Sequence, residues 1–593
     1  MSLAALLTLV VIVGALALLF AQVASADLIL LGAVVVLMLT GVLQPVEALA
    51  GFGNPGMITV GALFVVAAGL RETGAVALMT TGLLGRPTTE RGALARMTFP
   101  VVLASAFLNN TMVVATLLPG VTDWSRRINV PASRLLLPLS FASILGGLCT
   151  LVGTSTNLVV AGIVEDMAPR HPGLVPLGMF DIAPVGIPIA VVGALVLVFG
   201  APILLPARRA AVSATDDPRH YTMEVLVPPG SRLSGKTIEE AGLRNQPGVF
   251  LMEVVRGEEV LAAVEASQRL SDGDRLVFVG DVSALVDLQR TPGLAAAHDQ
   301  VFKLEGDRKE RQIVEAVVSQ RNPLVGWSIR DGNFRRRYRA VVIAVARAGE
   351  RVQGRIGDII LHAGDVLLLE AHPEFMTEQR SRTDFYLVSQ VQGAAPNRSD
   401  RAVLSMAILA ALVAVAATGW ISIVTAALGA AGLMLITRCC TLEEARRALD
   451  LQVLVSIAAA FGLGLAVHQT GLSQIFADAA VRAGASHPML ALITIYLVTA
   501  MMTELVTNNA AAVLAVPLAV SLSAQVGASP MPFIIAVMVA ASASFLTPIG
   551  YQTNLMVMGP GGYRPLDFPR MGFPMAVVVA VTALVVIPLV WTF

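Results

Sequence analysis

Gly153-Thr154-Ser155-Thr156-Asn157-Leu158-Val159-Val160 recurs near the end of the chain as Gly550-Tyr551-Gln552-Thr553-Asn554-Leu555-Met556-Val557, sharing the glycine, the Thr-Asn-Leu run and the final valine. Upstream of each copy lies an apolar stretch broken midway by polar residues: 96–119 by Asn109, Asn110 and Thr111, and 488–523 by Thr507, Asn508 and Asn509. The asparagine pairs precede Asn157 and Asn554 by nearly the same distance, and Pro119 and Pro517 close the two stretches. Cytoplasmic loops are enriched in Lys and Arg. Arg86, Arg91 and Arg96 precede the first stretch and Arg126, Arg127 and Arg134 follow it, so both its ends face the cytoplasm and it reads as a re-entrant hairpin. The second is flanked by Asp478, Arg482 and His487 on one side and by no charge between Gln525 and Pro532 on the other, which puts both its ends outside. Two halves with a shared motif and oppositely facing hairpins form an inverted-topology repeat, a mark of secondary transporters whose substrates bind at the midplane.

The composition around this repeat agrees. The chain has 593 residues, 55% hydrophobic and 14% charged, against about 25% charge in an ordinary soluble chain. Of 41 basic and 41 acidic residues, 26 and 27 fall between 205 and 400, leaving 29 charges for the other 397 residues. Those 397 cannot supply the charged exterior of a soluble domain and read as membrane; the central third reads as a soluble module. Neutrality argues against nucleic acid as a partner, because no basic excess exists to displace counterions from phosphates. Cys149, Cys439 and Cys440 suggest neither a disulfide framework nor a zinc site. The first apolar run, Ser2 to Gln22, has no basic residue before it and reads as a retained helix rather than a cleaved signal. Since a crossing needs about 20 apolar residues, spans are placed near 3–24, 28–46, 55–71, 73–86, 131–163 and 180–204, then 402–418, 420–437, 451–469, 531–559 and 572–592. That makes eleven transmembrane helices and two hairpins, with the N-terminus in, the C-terminus out, and 1–204 and 401–593 as the membrane halves. The expected location is a bacterial inner membrane.

The soluble third is doubled too. Leu233-Ser234-Gly235-Lys236-Thr237-Ile238 matches Leu324-Val325-Gly326-Trp327-Ser328-Ile329, and Gly273-Asp274 matches Gly364-Asp365, both at an offset of 91. Each copy reads as a helical turn followed by alternating strands, which predicts two small cytoplasmic α+β domains over 205–305 and 306–400. Neither carries a nucleotide-binding glycine signature or a nucleophile, base and orienter set, so the chain is not read as an enzyme.

Broken helices at bilayer depth need their freed backbone groups to face protein or a water-filled cavity. Small neutral oxygen donors there can replace the hydration shell of Na+, while helix N-termini present amides to an anion. The sequence supplies Ser105, Asn109, Asn110 and Thr111 with Gly153-Thr154-Ser155 in one half. It supplies Thr503, Thr507, Asn508 and Asn509 with Gly550-Tyr551-Gln552 in the other. A single polar pair of this kind is more often bundle glue; four in repeat-related positions favour ligand binding. Glu504 is the one carboxylate of the second hairpin, and reads as an acceptor that holds the tip, as a protonated bystander, or as an ion or proton site. Glu47 and Asp181 read as caps. Arg335-Arg336-Arg337 with Arg339 reads as a solvated face, with an anionic effector site as the alternative.

These motifs resemble the paired hairpin and unwound-helix motifs of the divalent anion/sodium symporter family: Ala104 to Thr111, Gly153 to Asn157, Thr503 to Asn509 and Pro548 to Asn554, with Glu47 to Gly56 similar to its early scaffold. The soluble pair resembles the C-terminal domain of regulator-of-K+-conductance (RCK) modules, found twice in a sulfate-transporting branch. The resemblance implies a homodimer with a fixed scaffold and a transport domain that moves as an elevator. By position it implies a first sodium site at Ser105, Asn109, Asn110 and Gly153, and a second at Thr503, Thr507, Asn508 and Gly550. The implied anion pocket comprises Asn110, Thr111, Thr154, Ser155, Asn508, Asn509, Tyr551 and Gln552. The hairpin motif Ser-Asn-Thr of dicarboxylate carriers is Asn-Asn-Thr and Thr-Asn-Asn here, and their paired prolines are Ser155-Thr156 and Gln552-Thr553. These departures suit a compact oxyanion held by several donors. No Arg or Lys lies in the motifs, so bound sodium and helix ends compensate its charge. The expected function is sodium-coupled uptake of a small divalent oxyanion, most simply sulfate, with no cofactor but Na+ as coupling ion. A dicarboxylate or small sulfonate on the same machine is the alternative. A K+ transport component would need a T-V-G-Y-G filter, which Pro548-Ile549-Gly550-Tyr551-Gln552 lacks; an effector-binding membrane receptor is the remaining reading.

Overall fold

The computed structural model describes residues 2–20, 23–75, 84–169, 171, 173–208, 222–243, 249–256, 259–262, 267–280, 293–296, 312–319, 322–347, 350–352, 356–371, 375, 384–387, 398–548 and 550–593. It divides into two compact units, one of Met1–Arg208, Ala394–Val557 and Arg564–Phe593, the other of Arg209–Gly393 and Met558–Tyr563.

The first unit is helical. It opens with α1 (Leu3–Phe20), α2 (Ala26–Leu39), the short α3 (Pro45–Leu49) and α4 (Pro55–Glu72). Asn54 caps α4 by accepting the Gly56 N–H, and Pro55 fills the first turn, where its missing N–H costs nothing. The first repeat is α5 (Glu90–Ser105), α6 (Asn110–Arg127), α7 (Leu136–Gly147), α8 (Ser155–Met167) and α9 (Ala183–Leu204). After α10 (Phe334–Tyr338), which belongs to the second unit, come α11 (Ala402–Thr418), α12 (Ile423–Ile436), α13 (Leu442–Ala448), α14 (Leu451–Gln469) and α15 (Leu472–Arg482). The second repeat is α16 (Pro488–Leu505), α17 (Asn508–Gln525), α18 (Pro530–Ser542), α19 (Gln552–Met558) and α20 (Asp567–Val590).

The repeats correspond element for element. The hairpins α5–α6 and α16–α17 match, as do the broken helices α7–α8 and α18–α19, and α9 packs against its counterpart α20. Each hairpin lies on its own broken helix, α5 on α7 and both α16 and α17 on α18. Beside them, Ile12, Leu30, Val34 and Leu37 of α1 and α2 join Leu463 of α14 and Leu514 of α17 in one buried cluster. On the outside of α20, Phe573, Val577, Val581, Val585 and Leu589 are all exposed at a spacing of four residues, an apolar stripe suited to lipid.

Several boundaries differ from those predicted. The hairpin placed at 96–119 begins at Glu90 and runs to Arg127. Charge does not end these helices: Arg91 lies 5.5 Å over the Phe199 ring, and Glu90 pairs with Arg134 at 2.6 Å. The spans placed at 131–163 and 531–559 are each two helices with an irregular segment between them. Four described helical segments are long and apolar enough to cross a bilayer by length and composition: Pro45–Glu72, Ala183–Leu204, Leu451–Gln469 and Asp567–Val590. The broken helices fall short because each half stops midway. Most of the span placed at 73–86 lies outside the described residues.

Among the described residues, the second unit carries two five-stranded antiparallel sheets. The first runs β3-β2-β4-β1-β5, from β1 (Thr222–Leu226), β2 (Val249–Arg256), β3 (Glu259–Ala262), β4 (Arg275–Gly280) and β5 (Ala295–Ala296). The second runs β8-β7-β9-β6-β10, from β6 (Gln312–Val318), β7 (Ala340–Arg347), β8 (Glu350–Arg351), β9 (Val366–Ala371) and β10 (Phe385–Leu387). The order is the same, and each has a bulge at the same place, between Leu251 and Glu253 and between Val342 and Ala344. Asp274 and Asp365, both fully buried, each hold an arginine bidentately, Arg256 and Arg347, with N–O distances of 2.7–2.8 Å.

Candidate functional site

Each hairpin turns at an N-cap. Asn109 Oδ1 accepts the Thr111 N–H at 2.9 Å, starting α6, and Thr507 Oγ1 accepts the Ala510 N–H at 3.4 Å, starting α17. The next residue ties back to the first helix of its hairpin: Ser105 Oγ donates to Asn110 Oδ1 at 2.7 Å, and Thr503 Oγ1 lies 2.9 Å from Asn508 Oδ1. Two of the predicted sodium ligands, Asn109 and Thr507, therefore spend a side-chain oxygen on a helix start, while the Ser105–Asn110 and Thr503–Asn508 pairs set two oxygens side by side.

The breaks opposite are built alike. Asn157 Nδ2 donates to the carbonyls of Gly147 and Thr150 at 3.1 and 2.9 Å, and Asn554 Nδ2 to those of Ser544 and Thr547 at 3.2 and 3.1 Å. The N–H groups of Gly153 and Gly550 donate to Thr150 Oγ1 and Thr547 Oγ1 at 3.2 and 3.0 Å. These bonds satisfy backbone groups that the interrupted helices release. A β-carbon at Gly153 would lie 2.8 Å from the Gly147 carbonyl and 3.0 Å from that of Ala106. One at Gly550 would collide with Ser544 Oγ and lie 2.9 Å from Thr547 Oγ1 and 3.0 Å from Glu504 Oε2. Both glycines keep the break open to its oxygens.

The two halves then exchange tips. Asn110 Nδ2 donates to Tyr551 Oη at 2.6 Å, and Thr111 Oγ1 to Gln552 Oε1 at 3.3 Å. Reciprocally, Ser155 Oγ and Thr156 Oγ1 donate to Asn509 Oδ1 at 3.3 and 3.2 Å. Ser140 Oγ, fully buried in α7, donates to Asn554 Oδ1 at 2.7 Å and lies 2.8 Å from Thr553 Oγ1, a further link between halves.

Burial separates two sets. Ser105, Asn110, Gly153, Thr503 and Asn508 are buried; Asn109, Thr111, Ser155, Asn509, Gly550, Tyr551 and Gln552 are half-buried; Thr154 is buried and Thr507 exposed. Asn508 Nδ2 is a buried donor with no hydrogen-bond partner among the described residues. An unpaired buried donor costs about 1–3 kcal/mol. A crevice lined by Phe64, Ala67, Phe107, Leu108, Asn109 and Ser155 runs beside the first tip.

Of the other singled-out residues, Glu504 accepts from the Phe545 and Leu546 N–H groups, each at 3.0 Å, and from Thr547 Oγ1 at 2.9 Å. Glu47 closes a capping box with Gln44, and Asp181 caps Gly178. Arg336, Arg337 and Arg339 are exposed and Arg335 half-buried. Sequence reasoning missed Ser140, Thr150 and Thr547. The last two could have been found, since each stands three residues before the motif glycine.

The sequence profile of the citrate transporter (CitMHS) family matches residues 7–538. The chain belongs to the citrate transporter family. Among its relatives, a Chlamydomonas reinhardtii protein named for a sulfur deprivation response regulator is 36% identical over 96% of this chain and 98% of its own length. An uncharacterized transporter of Synechocystis is 33% identical over 99% and 97%. Sodium/sulfate cotransporter 2 of Chlamydomonas reinhardtii is 28% identical over 91% of this chain and 84% of that one. As a member of the citrate transporter family the chain is an integral membrane transporter, and its paired hairpins and broken helices are the parts of the fold where cargo could be held.

Proposed function

We propose that this citrate-transporter-family protein takes up a small divalent oxyanion, sulfate by preference, coupled to sodium. The observation that carries the reading is the reciprocal exchange of tips. Hydroxyls, amides and a phenol from both halves converge at one place, with Asn508 Nδ2 as a free buried donor, and no Lys or Arg lies within the motifs. Neutral donors bind a compact oxyanion by hydrogen bonds, and sodium supplies the counter-charge. The names of the sodium/sulfate cotransporters among its relatives support both cargo and coupling ion.

Sodium is held by Ser105, Asn109, Asn110 and Gly153 in one half and by Thr503, Thr507, Asn508 and Gly550 in the other. Asn109 and Thr507 act there through the helix starts they cap. The anion meets Asn110, Thr111, Thr154, Ser155, Asn508, Asn509, Tyr551 and Gln552. Eleven crossings, a homodimeric scaffold and elevator movement of the two repeats complete the proposal, with the RCK-like pair cytoplasmic and open to a small effector. A thermal-shift screen of purified protein against sulfate, citrate, C4-dicarboxylates and sulfonates, with and without sodium, tests it. A ligand that binds only the folded state raises its apparent stability. Sulfate is expected to stabilise, and only in sodium; stabilisation by a carboxylate alone would reassign the cargo.

A further inference from the structure

The two breaks differ by one carboxyl group, Glu504 in the second standing where the first has Ala106. In the second, Glu504 Oε1 accepts from the Phe545 and Leu546 N–H groups and Oε2 from Thr547 Oγ1. In the first, the counterpart of Thr547 is Thr150, and its hydroxyl donates to the backbone carbonyl of Ala106, the residue that stands in the place of Glu504. A peptide carbonyl therefore suffices to anchor the threonine, as the first half demonstrates. The carboxylate does the same job and adds a negative charge.

That charge stands beside Gly550, whose added β-carbon would lie 3.0 Å from Glu504 Oε2. Thr503 and Asn508 present their oxygens from the same hairpin, on either side of its turn. Between Arg482 and Arg564 the sequence holds no Lys or Arg. A carboxylate at this depth with no counter-charge on its own stretch of chain is costly unless a cation compensates it. Hydrogen-bond donors lower that cost without cancelling the charge.

We infer that Glu504 is a positioning residue that sets the charge of the second cation site. It keeps the break in shape through Thr547, and its negative charge raises the sodium affinity of the Thr503–Asn508–Gly550 site above that of the Ser105–Asn110–Gly153 site. The second half then loads sodium before the first. The inference rests on the sodium-coupled reading above, and its test separates the two.

Sodium titrations of the full-length purified protein, read by thermal unfolding without substrate, compare wild type with Glu504→Gln and Glu504→Asp. Glu504→Gln is expected to raise the half-saturating sodium concentration tenfold or more, with Glu504→Asp returning to within a few-fold of wild type. A merely structural role would lower the unfolding temperature and leave the sodium midpoint in place, and that result overturns the inference. Should Glu504→Gln fail to fold, labelling of wild-type Glu504 by dicyclohexylcarbodiimide, read by mass spectrometry, decides. Sodium is expected to slow labelling several-fold relative to choline, and equal rates in both salts overturn the inference. A wild-type protein with no sodium response at all overturns both this inference and the coupling; a response unchanged in Glu504→Gln overturns this inference alone.

Discussion

The amide of Asn110 joins three parts of the protein. Its oxygen accepts from Ser105 within the first hairpin, and its nitrogen donates across the repeat to Tyr551. Asn508 makes the first of these bonds through Thr503 but leaves its nitrogen free among the described residues. Asn110→Ala and Asn508→Ala are each expected to cut sodium-driven uptake roughly tenfold or more, since each deletes a bonding group worth about 1.5 kcal/mol. The purified variants should still elute as folded protein; normal flux in either would remove that residue from the site. Gly550→Ala should lose sodium-dependent stabilisation, because its β-carbon collides with Ser544 Oγ and crowds Thr547 Oγ1 and Glu504 Oε2, and an unchanged sodium midpoint would contradict this. At this scale the asparagines and glycines were legible because chemistry and repetition coincide in them. Ser140 was not, because a lone serine in an apolar helix carries no pattern; its bond to Asn554 exists only once the halves are packed.

Whole elements were legible where polarity and period agree. The second hairpin was placed at 488–523 and the helices run Pro488–Leu505 and Asn508–Gln525. The first runs past the apolar stretch 96–119 at both ends, from Glu90 to Arg127, because Glu90 pairs with Arg134 and Arg91 lies over the Phe199 ring, which keeps charged residues inside the helical region. In the soluble sheets the repeated Gly-Asp was visible at 273–274 and 364–365, but its purpose was not, since the arginines that answer Asp274 and Asp365 lie 18 residues upstream on another strand. Asp365 is fully buried and bidentate to Arg347, which also donates to the Ile360 carbonyl. Desolvating the partner of such a pair is costly, so Asp365→Asn is expected to destabilise the second sheet by about 2–3 kcal/mol. Hydrogen exchange on β7 and β9 of the full-length protein should quicken accordingly; unaltered protection there would show that the pair contributes little.

For the molecule as a whole, the equal count of 41 basic and 41 acidic residues conceals an uneven distribution that carries the functional argument. The hairpin tips hold no Lys or Arg, so an anion bound where they cross must borrow positive charge. The tips cross reciprocally, Asn110 and Thr111 onto Tyr551 and Gln552, and Asn509 onto Ser155 and Thr156. No sequence pattern announces contacts between residues more than 350 positions apart; they follow from folding two copies of one unit face to face. Under the proposed function, a cargo held there touches both halves and a cation in each half neutralises it. The most direct test of this account is radiolabelled sulfate flux into liposomes containing the purified protein, with and without an inward sodium gradient. Accumulation that requires the gradient and collapses when choline replaces sodium is the predicted result; accumulation indifferent to sodium would contradict it.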